Sequence, residues 1–206
     1  MTFYKQYAAV LSCLLLFGGK HVCADTTNLD SAFADWTSVL STTNLSDGSI
    51  LFEYTAQTSS KQTEGAVLSM AFSPRFNCTA VISVRAAARS AFSQAVPTAL
   101  VTLDDETLTF QTLVDRDGPY DVLSLISIDD RLVELRQTMD DATKFSTVFI
   151  PGAIGDTATS SDSDQEAATD ADASDSILFS LLGSRKTTQA VESRCMAHQP
   201  VVFSHQ

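Results

Sequence analysis

Long apolar runs are nearly missing from this chain of 206 residues. One occurs near the start, and no later segment approaches the roughly 18 apolar residues that a membrane-spanning helix needs. Glycine is scarce, with 8 residues and no regular repeat, which excludes a collagen-like fibre; the lack of sustained heptads excludes a coiled coil. Basic residues number 13 against 25 acids, a formal charge of −12 with a pI near 4.4. That balance argues against non-specific binding to nucleic acid or anionic lipid, both of which depend on clustered Lys and Arg. Histidine is confined to His21, His198 and His205, and neither an H-E-x-x-H nor a G-x-S-x-G pattern occurs. What is present points to a folded body. Charged residues make up only 18 %, too few for a wholly disordered chain, and 44 % apolar letters with a mean hydropathy of +0.07 supply a core.

The first 24 residues read as an export signal. Lys5 gives the positive start, Tyr7 to Phe17 the apolar stretch, and Val22-Cys23-Ala24 a small-residue cleavage site before Asp25. At about eleven residues the stretch is too short to cross some 30 Å of hydrocarbon as a helix, so no membrane span is expected after the signal is removed. Every acid lies beyond the leader, leaving 11 Lys and Arg against 25 acids and a formal charge of −14. The expected location is periplasmic or secreted.

Removal of the leader leaves two cysteines, Cys78 and Cys195. An even pair in an exported protein favours a disulfide over a metal or catalytic site, and neither residue belongs to a C-x-x-C. Two free buried thiols are the alternative, and retention of Cys23 would make the count odd.

Period-two alternation dominates the remainder. Residues 25–46, rich in Thr, Ser, Asp and Asn, read as an N-terminal lead-in anchored by Trp36. A single β-rich domain follows over 47–197. Ile50, Phe52 and Tyr54 share one strand face, with Leu51, Glu53 and Thr55 on the other. Leu68, Met70 and Phe72 repeat the pattern, as do Cys78, Ala80, Ile82 and Val84. Asp104-Asp105-Glu106 reads as the tight link of a hairpin between Leu100 to Leu103 and Leu108 to Val114. Asp129 and Asp130 open a helix carrying Leu132, Leu135 and Met139. Lys144 to Ile150 and Ile177 to Leu182 are strands, and Ser184 is the expected cap of a final helix with Ala190, Val191 and Cys195 inward. Between those two strands, residues 154–176 hold seven acids and no base, a composition that cannot repay its ordering entropy. They read as a disordered acidic insertion, and residues 198–206 as a flexible tail. The expected fold is mainly β, a sandwich or partly open barrel of about seven strands with two packed helices.

Trp36, Cys78, the Val101-x-x-Asp104-Asp105 approach, the 129–139 helix, Phe145 to Pro151 and Phe179-x-Leu181-x-Gly183 with Ala190 and Cys195 stand in a recognisable order. Over about residues 36–196 this layout resembles the small periplasmic accessory proteins of type VI secretion, the TagO-like group. The resemblance implies a β-sandwich, a disulfide and a non-catalytic accessory role.

Candidate chemistry is thin. Asp162-x-Asp164-x-Glu166 and Asp170-x-Asp172-x-Ser174 place oxygens at alternate positions as calcium loops do, but no Gly follows at the sixth position and no Glu at the twelfth, so a solvated acidic linker is the expected reading, with weak divalent binding left open. The acid pairs at Asp104-Asp105, Asp129-Asp130 and Asp140-Asp141 point their neighbours apart and do not make dyads. Arg85 and Arg89 would share a helix face at i, i+4 if 86–95 is helical, and could then meet a small anion or an acidic partner. With Phe52 and Tyr54 they are the candidate contact residues; no catalytic residue, metal ligand or cofactor is expected. The reading is an exported, non-catalytic binding or accessory protein of a bacterial envelope assembly, in one form secretion-associated, with protein partners in the envelope. A hydrolase with a carboxylate site and a calcium-dependent surface protein are the alternatives. Limited proteolysis of the processed protein should cut first within 154–176, read by mass of the fragments; uniform resistance there would contradict the assignment.

Overall fold

The computed structural model describes residues 25–45, 48–88, 97–126, 131–150 and 176–198. Residues 1–24, read above as a signal, Arg89, Asp129, Asp130, residues 154–175 of the segment read as an acidic insertion and residues 199–206 lie outside the described residues. Among the described residues, ten strands form one antiparallel sheet: β1 (Asp25–Phe33), β2 (Trp36–Asn44), β3 (Ile50–Ser59), β4 (Val67–Phe72), β5 (Val81–Ala87), β6 (Thr98–Leu103), β7 (Glu106–Asp117), β8 (Tyr120–Ile126), β9 (Lys144–Ile150) and β10 (Ile177–Ser180). Their spatial order is β1-β2-β3-β4-β5-β8-β7-β6-β9-β10. Two helices complete the fold, α1 (Arg131–Asp141) and α2 (Ser184–Ala197). The chain is mainly β with two helices, as its alternation implies, and the sheet is not closed into a barrel.

Several local assignments differ from the sequence reading. The 25–46 lead-in contains a hairpin, with Thr26 opposite Ser41 and Asn28 opposite Val39. Threonine-rich segments look like loops by polarity, but the β-branched side chain suits a pleated, half-buried surface. Cys78 is not part of a strand. It follows a 3₁₀ turn at Pro74–Phe76, and Asn77 and Cys78 both take left-handed backbone conformations (φ 56° and 54°) before β5 begins at Val81. Ala86 and Ala87 belong to β5, and residues 89–95 of the segment weighed as helical lie outside the described residues.

The core lies on one face of the sheet. Tyr54, Ala56, Leu68, Met70, Phe72, Ile82, Val84 and Leu123 are buried there, as are Val101, Phe145 and Phe179 farther along the strand order. Leu135 and Met139 from α1 and Val191 and Cys195 from α2 belong to the same cluster. The sheet coils enough to bring its last strand beside its early ones: Trp36 Nε1 donates to the Ser180 carbonyl at 2.9 Å, and Ser60 Oγ donates to the Leu178 carbonyl at 2.8 Å. These bonds occupy outward carbonyls of β10, which would otherwise remain an open strand edge.

Gly183, not Ser184, is the N-cap of α2. Its φ is 95°, and a Cβ built there would sit 2.0 Å from the Phe33 carbonyl oxygen, so any side chain would collide with the β1–β2 turn. Ser184 is buried and its Oγ donates to the Met139 carbonyl at 3.3 Å, joining α2 to α1. Asp104 turns β6 into β7 with φ 46°, beside the start of β9. Its carboxylate accepts from Thr143 Oγ1 at 2.8 Å, Thr143 N at 3.2 Å and Lys144 N at 3.1 Å. The Thr143 hydroxyl leads in holding that carboxyl below its ordinary range.

Cys78 and Cys195 form a disulfide across 117 residues, with Cα atoms 5.9 Å apart. It joins the link ahead of β5 to the last turn of α2. Closing so long a loop removes about 4–5 kcal/mol of unfolded-state entropy in the chain-entropy account. Cys78→Ser and Cys195→Ser should each lower the non-reducing melting temperature by about 10 °C. Because one bond is lost in either case, the double variant should melt near the singles. An unchanged melting temperature in either single variant would remove the bridge from the account.

Candidate functional site

Alternation sends half of the strand residues away from the helices, and on β1–β5, β8 and β7 these line a groove of about 270 Å³. Its floor is ordered by register. Gln57, Ser69, Ser83 and Ser124 stand opposite one another on successive strands and make a polar row, within which Ser69 Oγ and Ser83 Oγ lie 2.8 Å apart. On one side of it runs the row Val67, Arg85, Val122; on the other, Thr55, Ala71, Val81. The floor is therefore a band of amide and hydroxyl groups between two bands carrying β-branched side chains.

The two ends carry charge. At one end Arg85 Nη1 lies 3.9 Å from Asp117 Oδ2, and its guanidinium sits over the Tyr120 ring, 4.6 Å from the centroid. Neighbouring Arg116 pairs at 2.7 Å with Asp121, which is fully buried on the core side of β8. At the other end, Glu53 on β3 faces Ser41 on β2. Glu53 is half-buried, has no cationic partner among the described residues, and its carboxyl is pushed above the ordinary range by loss of solvent. Ser73, directly after β4, lines the same groove; it is 6 % exposed and its Oγ has no hydrogen-bond partner among the described residues. Phe76 and Val81, 52 % and 44 % exposed, also line the groove.

The candidate contact residues separate. Arg85 lines the groove, whereas Phe52 and Tyr54 point to the core side. The Phe52 ring lies 4.1 Å from the His198 ring at the end of α2, and the Tyr54 hydroxyl is 2.5 Å from His198 Nδ1. Burial raises the Tyr54 hydroxyl, with Arg194 acting in the opposite sense. Arg89 and the acidic repeats at 162–174 lie outside the described residues. Asp140 is held by Arg136 at 3.5 Å and Asp141 by Arg185 at 3.6 Å, so this pair is divided between two arginines. Among the described residues no group of three His, Cys, Asp or Glu side chains is placed to hold a metal ion.

Glu53 and Ser73 do not stand out in the sequence, where one reads as an outward strand position and the other as turn chemistry. The available signal is the run of valines at 39, 67, 81 and 122 on the face opposite the core. Comparison with models of known protein families, with curated proteins and with solved structures returned no match.

Glu53 gives a pH test with a definite sign. A carboxyl whose folded pKa is raised binds its proton more tightly in the native state, so ionising it costs stability. That cost is absent below the ordinary carboxylate value and complete above the raised folded value. Glu53→Gln should therefore raise the melting temperature at pH 7 and have little effect near pH 3, as followed by thermal melts across pH. A lower melting temperature at pH 7 would mean that the carboxylate has a compensating partner.

Proposed function

We propose that this chain is an exported, non-catalytic binding protein that serves as an accessory of a bacterial envelope assembly and holds a partner segment in the outer-face groove. The observation that carries the reading is the groove itself, an open recess on a sheet whose other face already packs against two helices. Pockets that fix ligands combine apolar walls with a few placed polar groups, and this floor has that composition. The export signal, the disulfide and the acidic balance agree with a life outside the cytosol. No helix among the described residues is long and apolar enough to cross a membrane. The sequence likeness to periplasmic accessory proteins of type VI secretion supports the envelope setting.

A groove-filling variant tests this directly. Processed protein carrying Ser83→Trp, chosen for its central place in the polar row, should keep its fold at a lowered melting temperature and fail to retain from envelope extract a partner that the wild type retains, whereas Ser83→Ala, which loses the same hydrogen bond without filling the groove, should retain it. Equal retention by the wild type and Ser83→Trp would remove the groove from the reading. Turnover of generic ester, peptide, glycoside or phosphate substrates by the wild type, lost on Ser83→Trp, would replace binding with catalysis.

A further inference from the structure

Resting on that reading, we infer that the Glu53 end of the groove receives the cationic side chain, lysine or arginine, of an extended partner peptide. Two independent observations meet there. Glu53 presents a half-buried carboxylate without a cation among the described residues, and Ser73 presents a buried hydroxyl without a hydrogen-bond partner among them. Both line one recess, and both can accept a hydrogen bond. An ammonium or guanidinium group donating to the Glu53 carboxylate and to Ser73 Oγ satisfies the two together, and charge-assisted bonds of this kind are the stronger ones. Phe76 and Val81 line the same groove and offer apolar surface to the side-chain stem.

The recess is built for a chain more than for a small amine. From the level of Ser73 to that of Val67 and Arg85 is six residues along β4, about 20 Å at strand rise. That is the span of a short extended segment, and the row of Gln57, Ser69, Ser83 and Ser124 between the ends supplies polar groups for a peptide backbone. The charge of the whole molecule adds to the local preference. With a formal charge of −12 it attracts basic partners and repels acidic ones over the encounter distance. Loss of solvent at Glu53, which pushes its carboxyl up, favours a ligand that supplies donors there.

Fluorescently labelled, end-blocked hexapeptides of alternating Ser and Val, with one central residue set to Lys, Gln or Glu, give the test by anisotropy with the full processed protein. The Lys peptide should bind at least tenfold more tightly than the Glu peptide. Glu53→Gln should erase that preference, and Ser73→Ala should reduce it severalfold at unchanged melting temperature. Equal binding of the Lys and Glu peptides, or a preference that survives Glu53→Gln, overturns the inference. Competition by n-butylamine as strong as by the Lys peptide also overturns it, in favour of a small-amine site. Retention of an envelope partner that Ser83→Trp abolishes, combined with no Lys preference, rejects this inference alone. Absence of both rejects the groove reading as well.

Discussion

A covalent bond between the link ahead of β5 and the last turn of α2 keeps one face of the sheet covered. Strands of alternating character present two faces, and burial of either would satisfy a local pattern. The Cys78–Cys195 bridge holds α2 over β1–β4, and α1 packs beside it through Ser184 and Met139. At the opposite end of α2, Gly183 lies so close to the Phe33 carbonyl that the helix can start only where the β1–β2 turn allows. With the helix held at both ends, the apolar face is enclosed and the serine-bearing face is left open. The groove is thus a consequence of where the helix is fastened.

Charge is distributed according to the same division. On the covered side, Asp121 is fully buried and meets Arg116, while Arg136 bridges Asp140 and Glu192, at 3.5 Å and 2.6 Å. Charges withdrawn from water in this way need partners, since an unpaired one costs several kcal/mol. On the groove side the pairing is incomplete. Arg85 has Asp117 and the Tyr120 ring, whereas Glu53 has no cation among the described residues and is only partly hydrated. A site that leaves one carboxylate and one hydroxyl under-satisfied is arranged for a ligand that supplies donors, at some cost to the free protein.

Much of the fold is legible in the chain, and the misreadings share a cause. Leu68, Met70, Phe72, Ile82 and Val84 alternate clearly, and all are buried on the helix side. The hairpin around Asp104 and the inward stripe of Leu135 and Met139 follow their local signals. The β1–β2 hairpin, the start of β5 and the cap of α2 were harder because each depends on contacts far away in sequence. Threonine is extended here because β2 pairs with β3, and the left-handed Asn77–Cys78 link brings the sulfur to α2. Phe52 and Tyr54 look like a contact strand by composition, but His198, more than 140 residues later, covers them.

By itself the sequence determined which residues share a strand face, that the domain is β-rich with two helices, and that Cys78 and Cys195 are the two cysteines beyond residue 24. These follow from period-two geometry and from counting, both of which are local to the chain. Only the tertiary structure decided the order in which β5 neighbours β8 and β6 neighbours β9, the coil that brings β10 to Trp36, and the choice of the serine-bearing face for the groove. Strand order and curvature arise from hydrogen bonds and packing between distant segments, so the meeting of Glu53 with Ser73 was not visible until the sheet had formed.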